Sequence, residues 1–598
     1  MKIKNIIISC TMMAAAMLTL GSCNDFLTIY PTDKTIGPDF WKTKADVQAM
    51  VSGAYQSMAS GGIQERAIVW GSYRSDELEK TNGYSNHDLE NISAANLLPS
   101  NGLNSWGDFY AVINRCNIVL NHVNGVMDSD PQFTQGDCDE VCAQMKALRS
   151  LCYFYLVRAF RDVPYTQKSY ESDEDVEPLP QMAPDSVLQY CIDDLQWAER
   201  YILKTGAYGR NDSRNKGYFT RDAVWALLSD IYLWRASMTH SQSDYDMCIQ
   251  YADKVINSKD AYYRQYHNDR VTGADKEDIY HLIEGSQAFG RIFASGSSLG
   301  PSEESILEWI YDGEYMSNTR LENYYLKIAE NNTQCMVQGT SVFQKPGNAS
   351  SQYAYLNIHD YRFWDNACLV NSSTALQFPV RKYANRSSLS YYDQRATLPT
   401  EGDTKLSGIG DYNKYAQNWI VYRLTDVMLM KAEAMVATAA SDSDEVKLRG
   451  AYELVKAVNK RSWIEPRDRF AADETTADSL TYGTNKGKAN MERLVMAERL
   501  RELCFEGKRW FDLVRYSYRH MEGVDIHRTL AQQTSWPRIY DDMMRLVVRK
   551  YESGGQSVIY KLKTEPYLYF PILLSETKVN PNLIQNPVYE EEETISKN

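Results

Sequence analysis

No two of the 11 cysteines in this 598-residue chain form a Cys-x-x-Cys pair. The sequence also lacks His-Glu-x-x-His, an EF-hand spacing and a complete phosphate-binding loop, of which Gly483 to Lys488 is only a partial echo. Dithiol redox, zinc-protease, calcium-loop and nucleotide-hydrolysing chemistries are left without their usual residues, and no cofactor is implied. A basic excess is missing too. Lys and Arg number 64 against 78 Asp and Glu, net −14, so there is no electrostatic footprint for a polyanion, and nucleic acid is not expected as a partner. Hydrophobic residues at 43% and charged residues at 24% argue against a disordered, collagenous or polytopic membrane chain. At 598 residues the chain exceeds the roughly 250–300 at which one hydrophobic core stops growing, which predicts at least two folding units or an elongated array. Tyrosine is abundant instead: 43 Tyr against 16 Phe and 12 Trp. Its flat apolar face and polar tip suit wet, amphipathic ligands, and equally ordinary helix packing.

The N-terminus reads as an address. Lys2 and Lys4 precede the apolar stretch Ile6 to Leu18, and the small residues Gly21 and Ser22 follow, the layout of a secretory signal over 1–22. Leu20-Gly21-Ser22-Cys23 resembles a bacterial lipobox, in which cleavage leaves Cys23 first and acylated. Acyl chains contribute about 0.8 kcal/mol per buried methylene, so an acylated Cys23 would hold the protein at a membrane surface. Residues 23–40 then read as an extended tether, because Pro31 and Pro38 oppose helix.

Beyond it, apolar spacing predicts a helical region over 41–261, a loop-rich divergent region over 262–415, and a second helical region with an extended tail over 416–598. Helices are expected at about 105–124, 138–161, 184–204, 220–237, 417–438, 444–461 and 489–519. Residues 60–104, rich in Gly, Asn and Ser, read as a long loop. Ile306 to Tyr311 reads as a strand with Leu307, Trp309 and Tyr311 on one face. Ala223 to Ile256 and Val427 to Val458 resemble degenerate tetratricopeptide hairpins, whose small residues let helices approach closely. The fold class is therefore mainly α: a tetratricopeptide-like helical superhelix with a loop-rich ligand face and minor β. Cys138 and Cys142 lie one helical turn apart, but the next thiol, Cys152, opens an apolar helix face. Buried small hydrophobes are expected there in place of zinc ligands.

Nothing in the chain demands catalysis. Gly296-Ser297-Ser298-Leu299-Gly300 matches a hydrolase nucleophile elbow, but Pro301 follows at once and no strand–turn–helix context surrounds it. Glu498, Glu502 and Glu506 share one helix face among Arg499, Arg501 and Arg509. A glycosidase needs its carboxylates on opposite sides of a cleft, so an ion-paired network is the expected reading.

Several segments together resemble the SusD/RagB lipoproteins of Bacteroidetes outer membranes. These are Cys23 to Leu27 with Pro31; Trp106 to Val123; Arg149 to Pro164, with Arg161 where the family usually has Gly; and Phe219 to Leu233. In the C-terminal half they are Arg423 to Ala434, Glu498 to Arg515, Tyr569 to Ile572, and Asn580 to Pro587. The resemblance implies a non-enzymatic binding lipoprotein that captures oligosaccharides, or peptides in some branches. It would be anchored to outer-membrane lipid through Cys23, facing the exterior, and would pass its ligand to a SusC-like TonB-dependent transporter. A surface-anchored hydrolase and a purely structural scaffold are the competing readings, and the sequence gives no reading of a bound metal.

A glycan site should combine exposed aromatic faces with planar polar groups. Two non-helical regions offer them: Tyr73, Arg74, Asp76 and Tyr84 in one, and Trp309, Tyr311, Tyr361 and Trp364 in the other. They are expected to converge on one exposed face, although a core position is the competing reading for Trp309 and Tyr311.

Overall fold

The computed structural model describes residues 40–589 apart from 82, 211, 268–277, 294–302, 327–334, 345–353, 356–359, 368–369, 372–375, 384–413, 464–479 and 552–554. The leader, Cys23, most of the tether and the Gly296 to Gly300 motif lie outside the described residues.

Helical periodicity becomes a series of paired helices. α1 (Lys44–Met58) starts at a capping box in which Thr43 and Asp46 satisfy each other's backbone N–H, and it buries Val47, Val51, Ala54 and Met58. α2 (Gly61–Ile68) runs directly into a π-helical turn, Val69–Tyr73. α3 (Gly107–Ser129) is followed by α4 (Gln135–Phe160), which opens on a second capping box, Thr134 and Asp137. α5 (Pro184–Tyr201) begins with proline in its first turn, where the missing N–H costs nothing. α6 (Arg221–Thr239) and α7 (Gln242–His267) form a hairpin around His240, whose left-handed backbone stops α6. α8 (Leu424–Ala437), α9 (Glu445–Arg461), α10 (Lys488–Leu503) and α11 (Arg509–Tyr518) complete the frame. α1 packs on α3, α3 on α4, α4 on α5, α5 on α6, α6 on α7, α7 on α8, and α8 on both α9 and α10. This is the mainly helical architecture expected, with one large apolar cluster and a second, smaller one around α8, α9 and α10.

Strand structure is sparse among the described residues. β1 (Leu78–Lys80) pairs antiparallel with β3 (Val337–Gly339), with Glu79 opposite Gln338; β2 (Ser305–Trp309) pairs antiparallel with β4 (Trp419–Arg423). The first ladder joins the two regions read as loops.

Three sequence expectations need correcting. Residues 60–104 are not one long loop: α2, the π-helical turn, β1 and a short helix His87–Ser93 occupy them. Glycine and asparagine serve here as close-contact and capping residues, since a Cβ on Gly71 would meet the Gly507 carbonyl oxygen at 1.9 Å, and Asn86 caps the short helix. The segment 417–438 opens as β4 before turning helical, because Trp419 to Arg423 is aromatic and β-branched and buried throughout. The segment 489–519 is two helices. Phe505 and Gly507 take positive φ, 66° and 71°, and the chain turns between Leu503 and Arg509 so that Gly507 N–H can donate to Ser72 Oγ at 3.0 Å.

Arg161 has φ 67°, a backbone conformation that glycine adopts more cheaply. Its fully buried guanidinium offsets the strain. Nε donates to Glu565 at 2.8 Å, Nη1 to Asp162 at 2.8 Å and to the Arg528 carbonyl at 2.9 Å, and Nη2 to the Asp525 carbonyl at 2.5 Å. One side chain thus ties the end of α4 to the C-terminal segments.

The described cysteines form no disulfide, and all but Cys142 are buried. Burial pushes the Cys116 thiol up to about 12, in keeping with small hydrophobes, and Cys138 Sγ donates to Asn124 at 3.3 Å.

Candidate functional site: a half-open junction of two loop regions

The residues singled out from sequence divide sharply once placed. Tyr73 has no exposed surface; its hydroxyl donates to the Leu89 carbonyl at 3.1 Å and pairs with Ser93 Oγ at 2.6 Å. Arg74 is buried with its guanidinium 4.2 Å above the Trp510 ring, Nη1 donating to the Leu568 carbonyl at 2.6 Å. Burial lowers its pKa to about 10. Asp76 is buried in a two-pronged pair with Arg509, at 2.7 and 3.0 Å. Trp309 lies 6.3 Å from Trp419, ring to ring, and Tyr311 is buried with its hydroxyl on Gln64 at 3.3 Å. Trp364 is buried against Phe363, edge to face at 4.9 Å. These six are therefore interior, where an exposed ligand face was expected. Arg74 and Asp76 are covered by α11, whereas Tyr73, Trp309, Tyr311 and Trp364 are buried against other neighbours. Tyr361 is half-buried beside the end of α9, its N–H donating to the Ser462 carbonyl at 2.9 Å. Tyr84 is half-buried at the outer end of β1, its carbonyl accepting from Lys80 Nζ at 2.6 Å.

Tyr84 lies near a polar cluster, where the Glu65 charge adds to burial in raising its pKa. Glu65 of α2 sits at the centre of that cluster. One carboxylate oxygen accepts from Tyr324 OH at 3.0 Å and from Arg320 Nη1 at 3.2 Å; the other accepts from Arg66 Nη1 at 2.9 Å. Arg66 is itself fixed, Nε donating to the Ser105 carbonyl at 3.3 Å and Nη2 to that of Gly102 at 3.2 Å. Arg320, on a short helical turn Thr319–Leu321, keeps 38% of its side chain exposed, against 12% for Glu65. Gly61 makes this approach possible, because a Cβ there would already touch Arg320 Cγ at 3.2 Å. Burial first and then the Glu65 charge raise the pKa of Tyr84; the same two causes, in the same order, raise that of Tyr324. Both phenols therefore remain hydrogen-bond donors.

The result is a planar guanidinium with free edges, a carboxylate with spare lone pairs and a partly exposed phenol ring. Such a set recognises hydroxyl-rich, flat-faced ligands. It holds no nucleophile–base pair, and among the described residues no group of His, Cys, Asp and Glu could hold a metal ion. Glu65, Arg66, Arg320 and Tyr324 escaped the sequence reading. Glu65 and Tyr324 are 259 residues apart, and no local spacing signals a pair that the packing of α2 on the turn Thr319–Leu321 brings together.

The Glu498, Glu502 and Glu506 face is, as expected, an ion-pair network. Glu498 meets Arg362 and Arg501, both at 2.7 Å; Glu502 meets Arg362 at 2.9 Å, Arg423 at 2.5 Å and also Arg461; Glu506 meets Arg423 at 2.7 Å and Lys382 at 2.6 Å. Burial alone would raise the Glu502 pKa, but Arg461, Arg423 and Arg362 outweigh it and hold the carboxylate well below its ordinary range. Glu502 borders only a small cavity of about 10 Å³, shared with Arg362, Arg423 and Arg461.

Comparison with known proteins agrees with this architecture. SusD-like protein P25 of Formosa agariphila is 24% identical, the alignment covering 98% of each chain, and SusD-like protein P2 of the same organism is 22% identical over 83% of this chain and 88% of its own. A SusD homolog from Bacteroides thetaiotaomicron superposes with a TM-score of 0.64 at 17% identity, covering 92% of this chain and 97% of that one. A SusD superfamily protein from Bacteroides vulgatus gives 0.62 at 17% identity, covering 92% and 99%. Residues 25–233 match a family model described as starch-binding associating with outer membrane, and residues 381–589 match the SusD family model. With matching models at both ends and the helical frame between them, the chain belongs to the SusD family.

Proposed function

We propose that the protein is a surface lipoprotein that captures oligosaccharides and delivers them to a SusC-like TonB-dependent outer-membrane transporter. The observation that carries this reading is the match of residues 25–233 to a family described as starch-binding and associated with the outer membrane. The junction at Glu65 supports it chemically, since Arg320, Glu65 and Tyr84 offer what a sugar's hydroxyls and C–H face require. Tyr361, half-buried like Tyr84, stays in the proposed ligand face; the six buried residues do not. In this reading the protein binds and does not turn its ligand over. Cys23, after cleavage of 1–22, carries the acyl chains that keep it at the outer surface.

Isothermal calorimetry of the purified protein against maltooligosaccharides and other candidate glycans tests the ligand. Saturable binding without release of new reducing ends is expected. Binding of peptides but no glycan, or turnover of the glycan, overturns the reading. The anchor has its own test: Cys23→Ser should release the protein from the membrane fraction, and mass spectrometry finding an unmodified Cys23 would reject acylation.

A further inference from the structure

A groove of about 650 Å³ runs along α3 on a part of the surface not used above, between the loop that follows Pro164 and the C-terminal segment 574–583. Its walls include Trp106, Tyr110, Ile113, Val176, Val579 and Leu583. Val176 is 58% exposed and Val579 83% exposed, unusual for branched aliphatic side chains facing one channel.

Most of the polar groups of the lining are already engaged. Asn114 donates to the Tyr170 carbonyl at 2.7 Å and accepts from its N–H at 2.8 Å; Asn117 donates to the Lys168 carbonyl at 3.0 Å and accepts from Arg149 at 2.7 Å. Asn580 donates to the Leu179 carbonyl at 2.8 Å, Tyr110 OH to that of Pro164 at 2.7 Å, and Lys168 pairs with Glu177 at 2.6 Å. A glycan would find few open donors or acceptors here. An apolar stretch of polypeptide would find a fitting bed.

The position at which the described chain begins says which stretch. Trp41 stacks on His122 of α3, ring centroids 5.0 Å apart, and His122 pairs with Glu171 at 2.8 Å. Glu171 adjoins Tyr170, which Asn114 holds in the groove wall. From His122 back to Asn114 is about 12 Å along the helix, at ~1.5 Å per residue. Residues 24–39, immediately before this point, carry Phe26, Leu27, Ile29, Tyr30 and Ile36, and fully extended they reach about 50 Å at ~3.3 Å per residue. We propose that this groove is the docking site for the chain's own N-terminal segment, residues 24–39, with Phe26, Leu27 and Ile29 entering the apolar channel. Docking shortens the free spacer between the membrane and the folded body to the residues nearest Cys23. The docking itself does not depend on acylation or on the ligand.

The test uses the full chain. A photoreactive benzophenone amino acid placed at Val579 should yield an intrachain crosslink to a peptide within 24–39, whereas the same group at Val446, equally exposed on α9, should not. Hydrogen exchange should show the amides of 166–180 and 574–584 exchanging severalfold faster when Phe26, Leu27 and Ile29 are all replaced by Ser, with the melting temperature of the body kept. Crosslinks from position 579 that reach only a second copy or another protein overturn the proposal. So does exchange that the triple replacement leaves unchanged.

Discussion

Two glutamates carry the contrast between the C-terminal ion-pair network and the loop junction. Glu502 meets three arginines and is 2% exposed at its side chain; Glu65 meets two arginines and a phenol and is 12% exposed, beside an Arg320 that is 38% exposed. Charge count hardly separates them, whereas access to water does. The Glu502 network ties the middle of the chain to the C-terminal region, with Arg362 from the middle, Arg423 from β4 and Arg461 from α9, and the separate Arg509–Asp76 pair reaches the N-terminal region. Fully spent on one another, these groups hold segments in place and offer nothing to a ligand. At Glu65 the same chemistry is left half-open to water.

Breaking the buried side should cost most. Arg423→Ala removes one cation from both Glu502 and Glu506, leaving Arg362, Arg461 and Lys382 to offset two buried carboxylates, and should destabilise the protein by about 3–5 kcal/mol, read by urea unfolding. Trp510→Ala should cost a similar ~3–5 kcal/mol by cavity formation; its indole is 1% exposed and lies beneath the Arg74 guanidinium. A folded Trp510→Ala protein with unchanged melting but no ligand binding would reverse the assignment of this segment to the scaffold. Gly71→Ala forces a methyl into the Gly507 carbonyl and should cost on the order of 1–3 kcal/mol even after the backbone shifts.

Acid should weaken the same side. Burial alone would raise the Asp426 pKa, but Lys508 and Arg499 hold it at about 2. A carboxylate depressed in the fold contributes stability that is present above its unfolded value near 4 and is lost as pH falls toward 2, so the melting temperature should drop across that window. Glu77 has the opposite sign. Burial, with the Asp76 charge adding to it, lifts Glu77 to about 8, so its contribution is complete below about pH 4 and lost as pH rises through 8. Glu77→Gln should flatten the slope between about pH 4 and pH 8.

Changes at the open side should move affinity and leave stability nearly alone. Arg320→Ala and Tyr84→Ala should each weaken oligosaccharide binding about tenfold, roughly 1.4 kcal/mol, with melting shifted by less than a few degrees. If both leave calorimetric affinity intact, the ligand binds elsewhere on the loop face. If both unfold the protein, Glu65 belongs with Glu502.

Legibility followed the range of the interactions. α3, α4, α5, α6 and α9 could be drawn from apolar spacing and from prolines such as Pro184, because a helix is made by contacts three and four residues apart. The break at Phe505 to Gly507 could not, since the left-handed turn exists to meet Ser72 and Gly71, more than 400 residues away. Trp309 shows the same limit: a wide aromatic on a strand reads as core more often than as platform, and Trp419 across the β2–β4 ladder decides for core.

The amino-acid sequence by itself determined the helical frame, the ion-paired character of the Glu498 to Arg515 segment and the family, because each is written in short-range periodicity and in a dense local motif. Only the tertiary structure decided which aromatic and charged residues are interior and which remain open to a ligand. Exposure is a property of what the rest of the chain places on top of a side chain. For Asp76 that was Arg509; for Glu65 it was Arg320, which leaves the site half-uncovered.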